Sequence, residues 1–473
     1  MEYSRKTLGK RISRRYTLLG ALGILVLVLL IAAACGEDAT PTPLPATAVP
    51  APTAVPTGPA PTAVPGAPAP TAVPTGPAPT AVPGAPVRTA VPAPTATSVP
   101  TTGLRDRSQW TEANPATLAE IEAELEKHRG ESLVWVSWGG AYQSAQRAAH
   151  IIPFEAKFGI EIIEDSPASY SKFAAQVESG NLQWHVMDVA GDFVFGFGDQ
   201  VEPIDLAVVD NRDFVGVWQR GEAGGTLGAG GAETWSTVVA YSTETYPDGG
   251  LQPSMAMDFW DLEKFPGRRG WTYYHNFDLR LAQLAMHPEL IQTAEGRNSL
   301  SAMTDEQVDE SFAFIRARKN QASLFWATGS DCPQLLISGE LDMCTAWNGR
   351  IWDAQQEGAP INVCWECGYL LSTGAWVIPK GLKEQDPDTY ELANLWIAWT
   401  SFPEQNARIS LFIAYGPNNM ASLPFLDGPA FDEVRSELPT SAQNMQYAIL
   451  EDEVYSGVTY DAQYERWVGE IMQ

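Results

Sequence analysis

Short apolar runs alternate with longer amphipathic stretches from about residue 130 onward. The run Leu133, Val134, Trp135, Val136 precedes Gly139-Gly140, and an Ala- and Gln-rich stretch starts at Ala141. The pattern predicts a strand over 133–137, a helix over 141–157, a strand over 160–164, a helix over 169–179 stopped by Gly180, and a strand over 184–190. A second set follows, with strands over 271–275, 322–327 and 341–347 and helices over 277–286, 304–318 and 332–338. Strands alternating with helices imply an α/β fold with a mostly parallel sheet and crossover helices. Between the sets, residues 237–242 and 372–378 read as extended segments that could carry the chain from one lobe to the other and back.

The junction at 136–142 joins a buried strand to a helix through two glycines, with Tyr142 in the first helical turn. Such a junction sets side chains and free backbone N–H groups at the C-terminal edge of a parallel sheet, where open α/β folds bind ligands. On the local pattern alone, a tight βα turn that merely needs glycine explains it equally well.

The first hundred residues have a different character. Six Lys and Arg residues precede an uncharged run over 17–34, a basic region followed by an apolar one. The run ends in Ile31-Ala32-Ala33-Ala34-Cys35, which resembles the lipobox of bacterial lipoproteins, with Ala32 where leucine is commoner. That resemblance implies a signal peptide over 1–35 and a lipid on Cys35. An uncleaved membrane anchor is the alternative, since 18 residues nearly span a bilayer. Arg14-Arg15 also resembles a twin-arginine export signal, and ordinary export signals carry such pairs too. Residues 36–103 form a Pro-rich tether in which Thr-Ala-Val-Pro recurs six times. Such proline density forbids helix and sheet ladders. At ~3.1 Å per residue the segment could reach on the order of 200 Å when fully extended.

Residues 104–473 remain, a length suited to two lobes. With residues 1–35 set aside, 24 basic and 56 acidic residues leave a net charge of −32. That balance argues against nucleic acid as a partner. Solubility of an exposed protein accounts for most of it, with a weaker bias toward cationic ligands. No Gly-x-Ser-x-Gly, His-Glu-x-x-His or phosphate-loop pattern is present, and the five histidines lie far apart. Residues 224–231, GGTLGAGG, lack the flanking strand and helix of a dinucleotide loop and read as a loop. Nothing calls for a cofactor or a metal ion. Cys332, Cys344, Cys364 and Cys367 are expected to form two disulfides in an oxidising compartment, with three connectivities open.

Several stretches occur in the order seen in spermidine/putrescine-type substrate-binding proteins of ABC importers. They include VSWGGAYQSAQRAAHIIPFEAKFGIEI, WHVMDVAGDF, FWDLEKFPGRRG, the segment from Pro333 through AWNGR to Trp365, WVIPKG and YGPNNMAS. The resemblance covers roughly 130–422. It implies a two-lobed type II periplasmic-binding-protein fold with two chain crossovers, lobe 1 over about 130–237 and 373–415 and lobe 2 over about 243–370 and 420–473. It also implies capture of a small solute, a polyamine or an amino-acid-like amine, for a permease and an ATPase, outside the cytoplasm and without catalysis. An enzyme on the same fold, such as a thiaminase-like transferase with a nucleophilic cysteine, is one alternative, and a surface receptor without transport is another. Carried over by position, the ligand contacts fall on Trp138, Gly139, Gly140, Tyr142, Asp192 and Trp347, with Arg280 and Tyr455 as weaker candidates. Gly374 stands where polyamine binders carry an aspartate. Asp192 and Asp278 could hold one amine, and Arg280 or Arg350 could meet a carboxylate, which favours a ligand with a single cationic end over a long polyamine.

The N-terminal reading has a direct check. Mass spectrometry of the membrane-extracted protein should find a diacylated cysteine, Cys35, as the first residue, whereas an intact chain beginning at Met1 would contradict it.

Overall fold

The computed structural model describes residues 103–215, the backbone of Gly228 and Ala229, and residues 232–473. The export signal, Cys35, the Pro-rich tether up to residue 102 and most of the 224–231 loop lie outside the described residues. Nine strands carry the fold: β1 (Ser132–Val136), β2 (Glu161–Asp165), β3 (Val186–Ala190), β4 (Glu233–Ser242), β5 (Arg269–Thr272), β6 (Ala322–Trp326), β7 (Met343–Trp347), β8 (Ile361–Cys364) and β9 (Tyr369–Pro379). Five helices matter for the site: α1 (Gly140–Gln146), α2 (Asn276–Met286), α3 (Asn348–Gln356), α4 (Pro387–Ser401) and α5 (Glu453–Arg466).

The strands follow one path, β2-β1-β3-β9-β4-β7-β5-β6, with β8 on the side of β4. β1 runs parallel to β2 and β3, and β5 runs parallel to β6 and β7, so each lobe has its own parallel set. The seam is antiparallel. Residues 370–373 of β9 pair with 234–237 of β4, then 374–377 pair with β3 in the first lobe. Beyond the seam, residues 237–241 of β4 pair with β7 in the second lobe. β4 and β9 are therefore the two crossovers, and the architecture is the two-lobed α/β one expected.

Each lobe closes on its own aromatic core. In the first, Trp376 of β9 stacks on Trp396 of α4 at 5.6 Å with Phe154, Phe158 and Trp399 around them. In the second, Trp260, Trp271, Phe312 and Trp467 pack together. Burying one such side chain is worth about 1.5–3 kcal/mol, so each of these clusters is a main source of its lobe's stability.

Two local departures have physical causes. The helix expected over 141–157 is broken by a wide turn over Arg147–Ile151 before resuming over Ile152–Phe158. Pro153 has no N–H to return to the carbonyl one turn back, and a widened turn accommodates the missing bond. The C-terminal residues are not confined to the second lobe either. Gly457 of α5 lies so close to the turn Phe193–Gly196 that an added Cβ would stand 2.8 Å from the Cβ of Phe195.

The cysteines pair as Cys332–Cys344 and Cys364–Cys367. The first bridge ties the helix Asp331–Ile337 to β7, and the second spans the single turn Trp365–Cys367 between β8 and β9. Both are buried in the second lobe. By chain entropy, the 12-residue separation of the first bridge contributes about 3 kcal/mol. Replacing Cys332 and Cys344 together by serine should lower the unfolding free energy by about that amount and steepen the denaturant dependence, because the unfolded chain loses a cross-link that kept it compact, as followed by tryptophan fluorescence.

Candidate functional site

The β1–α1 turn is built by its two glycines. Gly139 and Gly140 have φ of 69° and 61°, left-handed values that cost a side-chain-bearing residue about 1–2 kcal/mol. The turn is pinned from below, where the Gly139 N–H donates to Gln143 Oε1 at 3.0 Å. It leaves the Gly139 carbonyl facing the cleft and brings Trp138 and Tyr142 to β3.

In the middle of that strand sits Asp188, 2% exposed. Its carboxylate accepts from Trp138 Nε1 at 3.2 Å, Tyr142 OH at 2.7 Å, Gln146 Nε2 at 2.6 Å and Trp376 Nε1 at 3.2 Å. Gln146 is held in that orientation because its other end accepts from Ser137 Oγ at 2.6 Å. Burial pushes the Asp188 carboxyl up to about 7, against the pull of the bonds from Gln146, Trp376 and Trp138 and of the Arg350 charge. Asp188 therefore fixes the rings of Trp138 and Tyr142 instead of meeting solvent.

The second lobe supplies the opposite wall. Trp347 ends β7, stacks on Tyr274 at 6.3 Å and meets the edge of Trp326 at 5.4 Å. Arg350, one turn into α3 and 5% exposed, crosses the cleft, and its Nη1 donates to the carbonyl of Gly139 at 2.9 Å. Its guanidinium lies 5.6 Å from the Tyr142 ring and 5.7 Å from that of Trp347. Glu233 and Trp235 of β4 complete this end, together with Tyr415.

The other end is acidic. Asp192 follows β3, and Glu451 precedes α5. Glu451 accepts from Asn276 Nδ2 at 3.1 Å, from Ser456 Oγ at 2.8 Å and from Ser372 Oγ. The Asp192 carboxyl is pushed up to about 7, first by desolvation and then by the Glu451 charge. Tyr460 of α5 closes this side. Together these walls enclose a cavity of about 180 Å³.

Trp138, Tyr142, Asp192 and Trp347 thus share one cavity, whereas Gly139 and Gly140 do not line it, the Gly139 carbonyl being taken by Arg350. Three residues weighed from sequence lie elsewhere. Arg280 is behind the wall, donating to the carbonyls of Leu300 at 2.9 Å, Asn276 at 2.8 Å and Ser301 at 2.9 Å. Its charge reaches Glu451 and Asp192, but its donors are spent on backbone. Tyr455 packs on the second-lobe core and accepts from Gln463 Nε2 at 2.9 Å. At 100° per residue it stands on the far side of α5 from Gly457, which lines the cavity. Asp278 is fully buried with neither oxygen hydrogen-bonded among the described residues, and burial raises it well above the usual carboxylate range. Among the described residues, no group of three or more His, Cys, Asp or Glu is placed to hold a metal ion.

Asp188, Glu233 and Glu451 escaped the sequence reading. Asp188 carried a signal, a lone charge inside the apolar run Val186–Ala190, since a buried polar residue is more informative than a buried apolar one. Asp188→Asn replaces one acceptor oxygen by an N–H donor and strands at least one of the four donors, at about 1–3 kcal/mol each. Urea unfolding should record that loss at pH 7. The native carboxyl titrates near 7 and an unfolded one near about 4, so wild-type stability gains from this group at acid pH and loses the gain as pH rises to about 7. The variant should lack that slope.

A family model described as bacterial extracellular solute-binding protein matches residues 149–433. The gamma-aminobutyric acid-binding protein of Pseudomonas aeruginosa is 30% identical over 328 residues, covering 68% of this chain and 85% of that protein. Among solved structures, an ABC transporter substrate-binding protein from Bradyrhizobium japonicum is 28% identical with a TM-score of 0.62, over 73% of this chain and 100% of its own. A GABA receptor of known structure is 26% identical with a TM-score of 0.57, over 71% of this chain and 96% of its own. This chain belongs to the bacterial extracellular solute-binding proteins, the small-molecule capture subunits of ABC import, on the two-lobed periplasmic-binding-protein fold.

Proposed function

We propose that the protein captures a small zwitterion with one primary amine and one carboxylate, of the size of 4-aminobutyrate, and presents it to an ABC permease. The observation that carries this reading is the polarity of the cavity. Buried Arg350, the pair Asp192 and Glu451, and several aromatic rings line one cavity, with the Arg350 charge acting on Asp188, Glu233 and Tyr415 and the Glu451 charge on Asp192. An arginine fork suits a carboxylate. An ammonium needs both a carboxylate and aromatic faces, which add about 0.5–2 kcal/mol. Relatives that bind gamma-aminobutyric acid support the same class.

A long polyamine fits these walls poorly. At Gly374, where polyamine binders carry an aspartate, an added Cβ would stand 2.7 Å from the Cβ of Ala232. Arg350 would repel a second ammonium. The transferase alternative needs a free cleft cysteine, and the four cysteines among the described residues are paired and absent from the cavity wall. The lipobox-like run and the repeat after it support a lipid-anchored, tethered protein.

Calorimetry on the purified protein with 4-aminobutyrate, putrescine and spermidine tests this. The zwitterion should bind at least about tenfold more tightly than either polyamine. Arg350→Gln and Asp192→Asn should each weaken it at least about tenfold, the worth of one charged hydrogen bond. An ammonium favours the ionised form of Asp192, so wild-type affinity should fall as pH drops below about 7, and Asp192→Asn should flatten that fall. Tight spermidine binding that survives both substitutions contradicts the reading.

A further inference from the structure

Glu233 opens β4 on the cavity wall and is 1% exposed. Its Oε2 has no hydrogen-bond partner among the described residues, and neither has Nε of the nearby Arg350. Two residues from different lobe segments that line one cavity therefore each keep a buried unsatisfied atom, that of Arg350 lying beside Gly329, at a cost of about 1–3 kcal/mol apiece until it is answered. They do not answer each other. Arg350 spends Nη1 on the Gly139 carbonyl, and no hydrogen bond joins it to Glu233. Tyr415, which hydrogen-bonds Arg350, feels both Arg350 and Glu233, and Asp353 and Asp188 also interact with the Arg350 charge.

We propose that Glu233 donates a hydrogen bond to the carboxylate of the ligand beside Arg350, so that two side chains read the anionic end. This rests on the zwitterion reading above. An ionised Glu233 would repel that carboxylate. Burial works the other way, raising the Glu233 carboxyl well above its usual range, with only the Arg350 charge opposing, so the side chain keeps its O–H. A carboxylate has two oxygens with about four lone-pair sites, and a guanidinium fork fills two of them, so sites remain for a second donor. No proton is lost or gained in the step, because the acid stays an acid and shares its hydrogen with the ligand oxygen. The arrangement also sets specificity, since an amine without a carboxylate leaves both Glu233 and Arg350 unsatisfied.

Calorimetry at pH 7 with 4-aminobutyrate and with butylamine, on wild type, E233Q and E233A, separates the outcomes. The glutamine variant keeps an N–H donor in place of the O–H and should bind 4-aminobutyrate within about threefold of wild type. The alanine variant should lose about tenfold for 4-aminobutyrate, the worth of one hydrogen bond to a charged group, and little for butylamine. Equal losses in both variants, or an equal loss for both ligands in E233A, overturn the proposal while leaving the ligand class standing. Failure of wild type to bind 4-aminobutyrate overturns the ligand class and this proposal together. Should the variants fold poorly, infrared difference spectra of wild type answer the same question. Adding 4-aminobutyrate should shift a protonated-carboxyl stretch to lower frequency, and an unshifted band counts against the proposal.

Discussion

A carboxylate buried in the middle of a central strand must be balanced where it stands, and Asp188 is balanced by four donors drawn from the β1 turn, from α1 and from β9. Each bond is modest alone. Together they fix the two aromatic rings of the first lobe, orient the first turn of α1 and tie the second crossover strand to β3. Most of the first-lobe wall follows from this one group. A wall of aromatic rings without such an anchor could rotate to fill the cavity it lines.

The seam explains why the remaining polar groups converge. Parallel strands within each lobe present their C-terminal ends to the cleft, whereas β4 and β9 pass through it, so their residues line it edge-on. Glu233 and Trp235 come from one crossover, Leu370 and Ser372 from the other. Charges buried along the cleft cannot retreat to solvent when the lobes meet, and they must be matched by ligand or protein. Glu451 is matched by Asn276, Ser372 and Ser456, and Asp188 by its four donors. Glu233 and Arg350 keep unmatched atoms, which places the chemical demand of the cavity at their end.

The parts legible in the sequence are those written in period and punctuation. The short apolar run 133–136, rich in β-favouring Val and Trp and stopped by glycine, reads as a buried strand, and the glycine pair after it marks the turn because left-handed φ excludes most other residues. Trp347 could be read because it stands at a strand end before Asn348-Gly349. Arg280 was misplaced for a reason of phase: one turn below Asn276, its long side chain folds back on backbone carbonyls instead of reaching the cleft. Tyr455 failed by two residues of helix rotation. Glu233 and Glu451 carried no pattern, since each gains its role from a neighbour more than a hundred residues away, and acidic residues are common in a chain of net charge −27.

The cross-cleft bond from Arg350 to the Gly139 carbonyl gives lobe closure a definite chemical form. An arginine of the second lobe completes a turn of the first, and that turn is open to it because Gly140 has no side chain, an added Cβ there lying 3.2 Å from Nη1. The same residue lines the cavity, and its Nε, beside Gly329, has no hydrogen-bond partner among the described residues. A solute can bias open and closed forms only by its difference in affinity for them. A group shared by the lobe contact and the cavity wall supplies that difference, since Arg350 meets both partners only when the lobes are together.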